Sequence, residues 1–210
     1  MINIGGIVLC GGRSSRMGQP KAWLPFGDEL MLQRVVRIMR EAVDTVVVVA
    51  AADQKIPELP GDVSIIRDEL DDRGPLQGLA SGLRRLKGRV DCVYLSSCDA
   101  PFLREAFVRR MISFISGQTL PTWPVIAVPR IEDRFHPLAA AYKTNILPNV
   151  LQLLAANQSR LTDLINTLPT RVIEPHELAD VDPEFDSLHN LNTWGEYEAA
   201  LQLLRTRQQK

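Results

Sequence analysis

The chain has 210 residues, of which 45% are hydrophobic and 23% are charged, proportions typical of a globular protein with one sizeable core. Its 24 lysines and arginines nearly balance its 25 aspartates and glutamates, which excludes a general attraction to nucleic acid or to an anionic membrane. The sequence has no membrane-length apolar run and no signal-peptide pattern, and its three cysteines lack metal-type spacing, so we expect a cytoplasmic protein.

The first half of the chain repeats a strand, a loop and a helix. Apolar residues 7–9 predict a first strand, and apolar residues at helical spacing predict a helix over 30–43. The β-branched run 45–51 predicts a strand that is buried on both faces, as strands of parallel sheets are. Two more strand and helix pairs are predicted over 63–66 and 76–86, and over 90–95 and 106–115. This alternation predicts an α/β fold with a largely parallel sheet and helices on both faces.

The second half has a less regular pattern. Strands are predicted at 125–128, 138–142 and 170–173. Helices are predicted at 146–154, 159–168 and 194–204, the last with Asn192 and Thr193 as candidate capping residues. No linker, low-complexity tract or internal repeat separates these segments, so we predict a single domain over residues 1–210.

Three polar features follow predicted strands. Residues 11–21 follow the first strand, residues 68–78 follow the third, and Asp99 follows the fourth. Ligands of open α/β sheets bind at the carboxyl ends of the strands. We therefore expect these three features to converge on one crevice.

The glycine-rich loop is the most informative of the three. Gly11 and Gly12 let the backbone approach a ligand closely, and Arg16 and Lys21 add positive charge, a combination that suits a triphosphate. The loop matches neither the P-loop pattern GxxxxGK[ST] nor the dinucleotide pattern GxGxxG. The alternative is a tight strand-to-helix turn with solvated basic side chains.

The remaining candidates are single polar residues. Asp99 in the segment SCDAP suits Mg²⁺, which proteins hold with one or two carboxylates and substrate phosphates, although a capping or turn role ahead of a proline is the alternative. Asp68 lies in an acidic run that also fits a solvated loop. Cys98 has no histidine placed by sequence to activate it as a nucleophile, and His136 fits a structural role at least as well as ligand contact.

Several ordered motifs resemble one known family. The segment LCGGRSSRMGQPK resembles LAGGxSxRMGxDK, the nucleotide-binding signature of the molybdenum cofactor guanylyltransferases, within the nucleotidyltransferases of Rossmann-like fold. IIRDELDDRGPLQGL resembles IxDxxxxxGPLxG, LSSCDAPFL resembles CDxPxL, RFHPLAAAY resembles the HPLxALY region, and LNTWGEYEAA resembles NxNTPEDL. The motifs follow the family's order over nearly the whole chain. The resemblance implies a three-layer, Rossmann-like α/β nucleotidyltransferase fold with a mostly parallel central sheet.

The resemblance also implies a reaction and its residues. GMP would pass from GTP to molybdenum-bound molybdopterin, giving the guanine dinucleotide cofactor and pyrophosphate, with transient contacts to other proteins of cofactor biosynthesis or to acceptor proteins. Residues 1–117 would bind the nucleotide and residues 118–210 the acceptor. The implied nucleotide-binding residues are Leu9, Cys10, Gly11, Gly12, Lys21, Asp68, Gly78 and Asp99. The implied catalytic residues are Arg16, Lys21 and Asp99, with Mg²⁺ on Asp99, and the implied acceptor-binding residues are His136, Asn190 and Asn192.

Departures from the family pattern leave the choice of nucleotide less certain than the transferase class. Pro20 before Lys21 is common in relatives that transfer CMP, whereas Gly11 leaves more room for a purine than the alanine those relatives carry. Trp194 and Gly195 replace the usual Pro-Glu. The alternatives are CTP-dependent cytidylyl transfer to molybdopterin, nucleotidyl transfer to a sugar or alditol phosphate, and a non-catalytic nucleotide-binding protein.

Overall fold

The computed structural model describes residues 2–11, 17–68, 74–116 and 123–208. The strands within these residues are β1 Ile4–Leu9, β2 Pro25–Phe26, β3 Glu29–Leu30, β4 Thr45–Ala51, β5 Ser64–Asp68, β6 Cys92–Ser97, β7 Ile126–Ile131, β8 Arg134–Phe135, β9 Ala140–Lys143 and β10 Thr170–Ile173. The helices are α1 Met31–Ala42, α2 Gly74–Leu86, α3 Glu105–Ser113, α4 Leu147–Ala155, α5 Leu161–Thr167 and α6 Trp194–Gln208.

The main sheet has the strand order β10-β7-β9-β6-β1-β4-β5, with β8 paired to β7. Strands β6, β1, β4 and β5 are parallel neighbours, and β7 is parallel to β10. Only β9 runs against its two neighbours in this order. The carboxyl ends of β1, β4, β5 and β6 therefore lie at one edge, which confirms the expected α/β fold with a mostly parallel sheet.

Each central strand is buried on both faces. Along β6, Cys92 and Tyr94 face the apolar layer that contains α1 and α3, whereas Val93 and Leu95 face the layer that contains α2, α4 and α5. The same alternation occurs in β1, because successive side chains of a strand point to opposite faces. Helices thus cover both faces of the sheet, and the fold has the three predicted layers.

A third, smaller apolar cluster joins the last helix to the segment that follows the glycine-rich loop. Tyr197 on α6 is buried in this cluster, and its hydroxyl donates a hydrogen bond to the Pro25 carbonyl. Phe26 and Phe102 meet edge to face in the same cluster, with ring centroids 5.3 Å apart. The helix α6 therefore packs directly on residues 17–31.

Ion pairs tie the other end of α6 to α3. The guanidinium of Arg104 contacts the buried carboxylates of Asp182 at 3.1 Å and Asp186 at 2.6 Å, and Arg207 contacts Asp186 at 2.9 Å. Burial alone would raise the pKa of Asp186, but hydrogen bonds from Arg207 and Arg104 lower it below the usual value. The charged carboxylates therefore hold the turn before α6 against the start of α3.

The sequence predicted most elements to within a few residues. The strands 45–51 and 170–173 have the predicted bounds, and the helix predicted over 30–43 occurs at Met31–Ala42. The strand predicted to begin at 138 begins at Ala140 instead, because Pro137 opens a 3₁₀ turn. The β2–β3 hairpin was not predicted, since each strand has two residues. Among the described helices, none has the length and apolar character needed to cross a membrane.

A close approach of helix α2 to the sheet gives a stability prediction. A Cβ added at Gly82 on α2 would lie 2.6 Å from Cδ1 of Ile7 and 2.9 Å from its Cγ1 and Cγ2. Ile7 is fully buried on β1 and has little room to move. We expect Gly82→Ala to lower the free energy of unfolding by about 1–3 kcal/mol, measured by urea denaturation.

The matched control is Gly195→Ala in the first turn of α6. A Cβ there meets no heavy atom within 4 Å, so the higher helix propensity of alanine should raise stability by up to about 1 kcal/mol. The packing argument would be contradicted if the urea midpoint of Gly82→Ala equalled or exceeded that of the unmodified chain.

Candidate active site

A cluster of three polar side chains forms the centre of the site. The ammonium nitrogen of Lys21 lies 2.6 Å from Oδ2 of Asp99 and 3.0 Å from Oδ1 of Asn192. The side chains of Lys21 and Asp99 are 15% and 12% exposed, so the pair is largely shielded from water. The cluster joins three of the motifs noted in the sequence, and it lies at the carboxyl edge of the sheet.

Asp99 is held in place by the end of β6 and by the segment before α6. The hydroxyl of Ser97 donates a hydrogen bond to its Oδ1, so each carboxylate oxygen has a partner. The backbone N–H of Leu191 donates to the Asp99 carbonyl at 2.9 Å. The Cys98 N–H donates to the Leu9 carbonyl at 2.9 Å and extends the parallel pairing beyond the strand end. The carboxylate is therefore fixed at the edge where β1 and β6 end.

Asn192 is positioned by the start of α6. The carboxylate of Glu196 accepts the backbone N–H groups of Asn192 at 2.6 Å and Thr193 at 3.0 Å, and the Thr193 hydroxyl accepts the Glu196 N–H at 3.2 Å. This is a reciprocal capping box, as the candidate capping residues predicted. The hydrogen bond from the Asn192 backbone is the main cause that lowers the pKa of Glu196. Asn190 contributes its carbonyl, which accepts from the Asn192 amide at 3.1 Å.

The nucleotide-binding candidates at the end of β1 have different environments. The side chains of Leu9 and Cys10 are buried and point to opposite apolar layers, whereas Gly11 is exposed. A Cβ added at Gly11 would lie 3.4 Å from the Ala51 nitrogen, which is ordinary contact. Packing against the described residues therefore does not require a glycine at position 11.

Gln54 also belongs to this end of the sheet, and the sequence did not identify it. Its amide nitrogen donates to the Cys10 carbonyl at 2.9 Å and approaches the Cys10 sulfur at 3.4 Å. Its amide oxygen accepts the Ala51 N–H at 3.2 Å. Gln54 thus joins the ends of β1 and β4. The only sequence signal was a polar residue shortly after a buried strand.

The cysteine thiols lack the character of nucleophiles. A hydrogen bond with the Cys10 thiol, together with burial, raises the pKa of Cys98 well above its usual value. A thiol acts as a nucleophile in its ionised form, which this environment disfavours. The structure therefore agrees with rejecting Cys98 as a nucleophile.

Asp68 and Gly78 lie on the far side of β1 from Asp99. Strand β5, which ends at Asp68, is separated from β1 by β4, a distance of about 10 Å for two strand spacings. The amide of Gln77 donates to the Asp68 carboxylate at 3.2 Å, which ties Asp68 to α2. A Cβ at Gly78 would lie 2.8 Å from Cδ2 of Leu9, so a glycine is needed there for packing. Within the described part of the chain, no hydrogen bond or ion pair links either residue directly to Lys21.

His136 lies half-buried at the 3₁₀ turn after β8. Its backbone N–H donates a hydrogen bond to the Pro129 carbonyl at 3.0 Å. Burial lowers the pKa of His136, and the positive charges of Arg134 and His189 add to this effect. The imidazole is therefore mostly neutral at pH 7. His189 directly precedes Asn190 and was not singled out from the sequence.

Two of the predicted residues, Gly12 and Arg16, lie outside the described residues.

A cavity of about 300 Å³ occurs elsewhere, at the amino end of β4, and its lining includes Arg37, Arg40, Glu41, Asp44 and Asp62. Its arginines already pair with acidic residues: Arg37 with Glu41 and Arg40 with Asp62. The cavity therefore lies at the opposite edge of the sheet from the site and presents no unpaired arginine.

Comparison with known proteins identifies the family. Residues 6–172 match the MobA-like NTP transferase domain. The chain belongs to this family of nucleotide-transferring enzymes. The match contains all the predicted nucleotide-binding residues, and the two asparagines near α6 lie beyond it.

Similar proteins match over most of their length. A protein of Bacillus mycoides named "Probable molybdenum cofactor guanylyltransferase" is 30% identical over 95% of this chain and 96% of its own. A protein of Mycobacterium tuberculosis with the same name is 33% identical over 79% of this chain and 80% of its own. The crystal structure of molybdopterin-guanine dinucleotide biosynthesis protein A from Archaeoglobus fulgidus has a TM-score of 0.79 at 16% identity, covering 96% of this chain and 99% of that one. The structural match supports the nucleotidyltransferase fold.

The carboxylate of Asp99 suits a metal ion that binds together with a nucleotide. Among the residues that the structure describes, no three histidine, cysteine, aspartate or glutamate side chains form a metal-binding group. Mg²⁺ is commonly held by one or two carboxylates together with substrate phosphates and water, so a single buried carboxylate such as Asp99 fits it. That carboxylate already contacts one cation, the Lys21 ammonium.

The shielded Lys21–Asp99 pair gives a prediction for nucleotide transfer. Asp99→Asn keeps the side-chain shape but removes the charge that faces Lys21 and a metal ion. We expect at least a 100-fold loss of pyrophosphate release, because metal-assisted charge stabilisation contributes several kcal/mol. Pyrophosphate release should be measured at saturating nucleotide, with circular dichroism as the test of folding.

Asp62→Asn is the matched control, since Asp62 also pairs with a basic side chain, that of Arg40, but lies far from the site. It should keep the activity of the unmodified protein. Full activity in Asp99→Asn would remove Asp99 from the catalytic residues.

Proposed function

We propose that the protein transfers GMP from GTP to molybdenum-bound molybdopterin, forming the guanine dinucleotide cofactor and releasing pyrophosphate. The observation that carries the proposal is the Lys21–Asp99–Asn192 cluster, which brings the nucleotide and acceptor motifs into contact. The similar proteins named as guanylyltransferases support the choice of nucleotide and acceptor. Residues 1–117 mainly form the nucleotide side and residues 118–210 the acceptor side.

The reaction asks the protein to position reactants and to stabilise charge. An oxygen of the acceptor's terminal phosphate attacks the α-phosphorus of GTP, a new P–O bond forms, and the bond to the bridging oxygen breaks as pyrophosphate leaves. No protein nucleophile is needed, which agrees with the raised pKa of the Cys98 thiol beside the site. Arg16 and Lys21 offset the negative charge that builds on the leaving pyrophosphate.

Asp99 is the residue that would hold Mg²⁺, which supplies charge stabilisation at the phosphates when it is bound. Ser97 keeps the carboxylate oriented through its hydroxyl. Nucleotide transfer in this family generally uses a divalent metal ion, and Mg²⁺ is the ion we propose here. When a nucleotide binds, the Lys21 ammonium can exchange its contact with the Asp99 carboxylate for a contact with a phosphate oxygen.

The acceptor side is formed by amide and imidazole groups. Asn190 and Asn192 lie in the segment before α6, and Asn192 already contacts Lys21. Neutral amides donate and accept hydrogen bonds, which suits the amide and amine groups of a pterin ring. We propose that His136, neutral at pH 7, contributes to the same acceptor surface. Transient contacts with proteins that supply molybdopterin or receive the product are part of this proposal.

The nucleotide preference is tested by pyrophosphate release with GTP, CTP, ATP and UTP, each with and without molybdopterin. We expect release that requires molybdopterin and is at least 10-fold faster with GTP, because Gly11 leaves room for a purine. Faster release with CTP would replace the proposal by cytidylyl transfer. Release with a sugar or alditol phosphate, and not with molybdopterin, would replace the acceptor.

A variant at position 11 sharpens this test. Gly11→Ala meets only ordinary contacts within the protein, so its unfolding midpoint should match that of the unmodified chain. We expect it to lower kcat/KM for GTP more than for CTP. An unchanged ratio would show that position 11 does not select the base.

Metal removal tests the assignment of Asp99. EDTA should abolish pyrophosphate release, and added Mg²⁺ should restore it. The Mg²⁺ concentration that gives half-maximal activity should rise at least 10-fold in Asp99→Glu, which keeps the charge but displaces the carboxylate, and should be unchanged in Asp62→Glu. Activity that persists in EDTA would contradict a metal-dependent reaction.

A further inference from the structure

The first turn of α6 makes a second contact with the glycine-rich loop, through Trp194. The indole N–H of Trp194 donates a hydrogen bond to the Met17 carbonyl at 3.0 Å. Met17 directly follows Arg16 in the chain, and its side chain is buried in the small cluster that α6 shares with residues 17–31. The contact joins residues 177 positions apart.

The Trp194 ring is held in a defined orientation. It meets Tyr197 edge to face, with ring centroids 5.5 Å apart, and the Tyr197 hydroxyl donates to the Pro25 carbonyl. Trp194 is nevertheless 41% exposed, so burial of the ring contributes only part of what holds it. The indole therefore joins a fixed part of α6 to the end of the loop.

Two hydrogen bonds join the start of α6 to residues 17–21. Asn192 accepts from Lys21, and Trp194 donates to Met17, four residues earlier. The capping box of Thr193 and Glu196 fixes the turn that carries both. The end of the loop is thus held at two points by the segment that also carries the acceptor asparagines.

We propose that Trp194 is a positioning residue for nucleotide binding: its indole N–H holds the Met17 carbonyl and so sets residues 17–21, the stretch that presents Lys21 to phosphates. The proposal rests on the proposed function to the extent that the nucleotide is GTP. The related pattern Pro-Glu, which Trp194 and Gly195 replace, offers no indole donor at this position.

Trp194→Phe is the direct test, because phenylalanine keeps an aromatic ring beside Tyr197 and loses the donor. One hydrogen bond of this kind contributes roughly a five-fold effect on an equilibrium. We expect the KM for Mg·GTP to rise about five-fold while kcat changes less than two-fold. In nucleotide-free protein, we expect trypsin to cleave after Lys21 about five-fold faster, measured by mass spectrometry of the fragments.

The matched control is Trp23→Phe. Trp23 is 44% exposed, and its indole N–H also donates to a backbone carbonyl, that of Lys55 at 2.9 Å. Trp23→Phe should leave both the KM for Mg·GTP and the trypsin cleavage rate within two-fold of the values of the unmodified protein. If Trp23→Phe reproduces the effects of Trp194→Phe, the effects reflect general destabilisation and the proposal is wrong.

A fluorescence experiment reports on Trp194 itself. With Trp23→Phe and Trp123→Phe combined, Trp194 is the one tryptophan left, since the chain has three. Its emission should change as Mg·GTP saturates the protein, because nucleotide binding acts on the loop that the indole holds. Unchanged emission at saturation, measured alongside binding by calorimetry, would overturn the proposal.

These readouts separate the two proposals. Absence of any GTP binding would contradict the proposed function, whereas trypsin cleavage is measured without nucleotide and still tests Trp194. Normal GTP turnover with unchanged KM and unchanged cleavage in Trp194→Phe would leave the proposed function intact and refute the positioning role.

Discussion

The contact between the Lys21 ammonium and the Asp99 carboxylate is the interaction on which the rest of the site depends. Two opposite charges that are mostly withdrawn from water need each other, since either one alone would be strongly unfavourable there. Lys21 comes from the turn after the glycine-rich loop, and Asp99 comes from the end of β6. Their attraction therefore holds Lys21 against the sheet edge, and Asn192 completes the contact from the segment before the last helix.

The sheet determines which candidates can cooperate. Asp99 follows β6, the direct neighbour of β1, and so it meets the loop that leaves β1. Asp68 follows β5, which lies two strands from β1, and its carboxylate contacts Gln77 on α2. A nucleotide that touches both carboxylates would have to span the ends of the intervening strands. The strand order thus places Asp68 and Asp99 on opposite sides of β1, although each lies at or just after the end of a parallel strand.

The sequence predicted the features that depend on local pattern. The buried strand 45–51, the helix over α1 and the position of Asp99 at a strand end follow from side-chain periodicity and from the abrupt change at SCDAP. Gln54 and Trp194 could not be predicted in this way. Each donates a hydrogen bond to a backbone carbonyl of a distant segment, and a carbonyl leaves no mark in the sequence. Resemblance to a family cannot supply Trp194 either, because the family pattern has another residue there.

The packing of α6 on residues 17–31 also has a consequence for biosynthesis. A ribosome releases the chain from its first residue onward, so β1 and the glycine-rich loop emerge long before the helix that begins at Trp194. Until that helix emerges, the apolar side chains of the small cluster, including Phe26 and Phe102, lack one wall. The nascent chain can therefore pair its parallel strands before this helix emerges, yet the cluster of Lys21, Asp99 and Asn192 forms only after residue 192 has emerged.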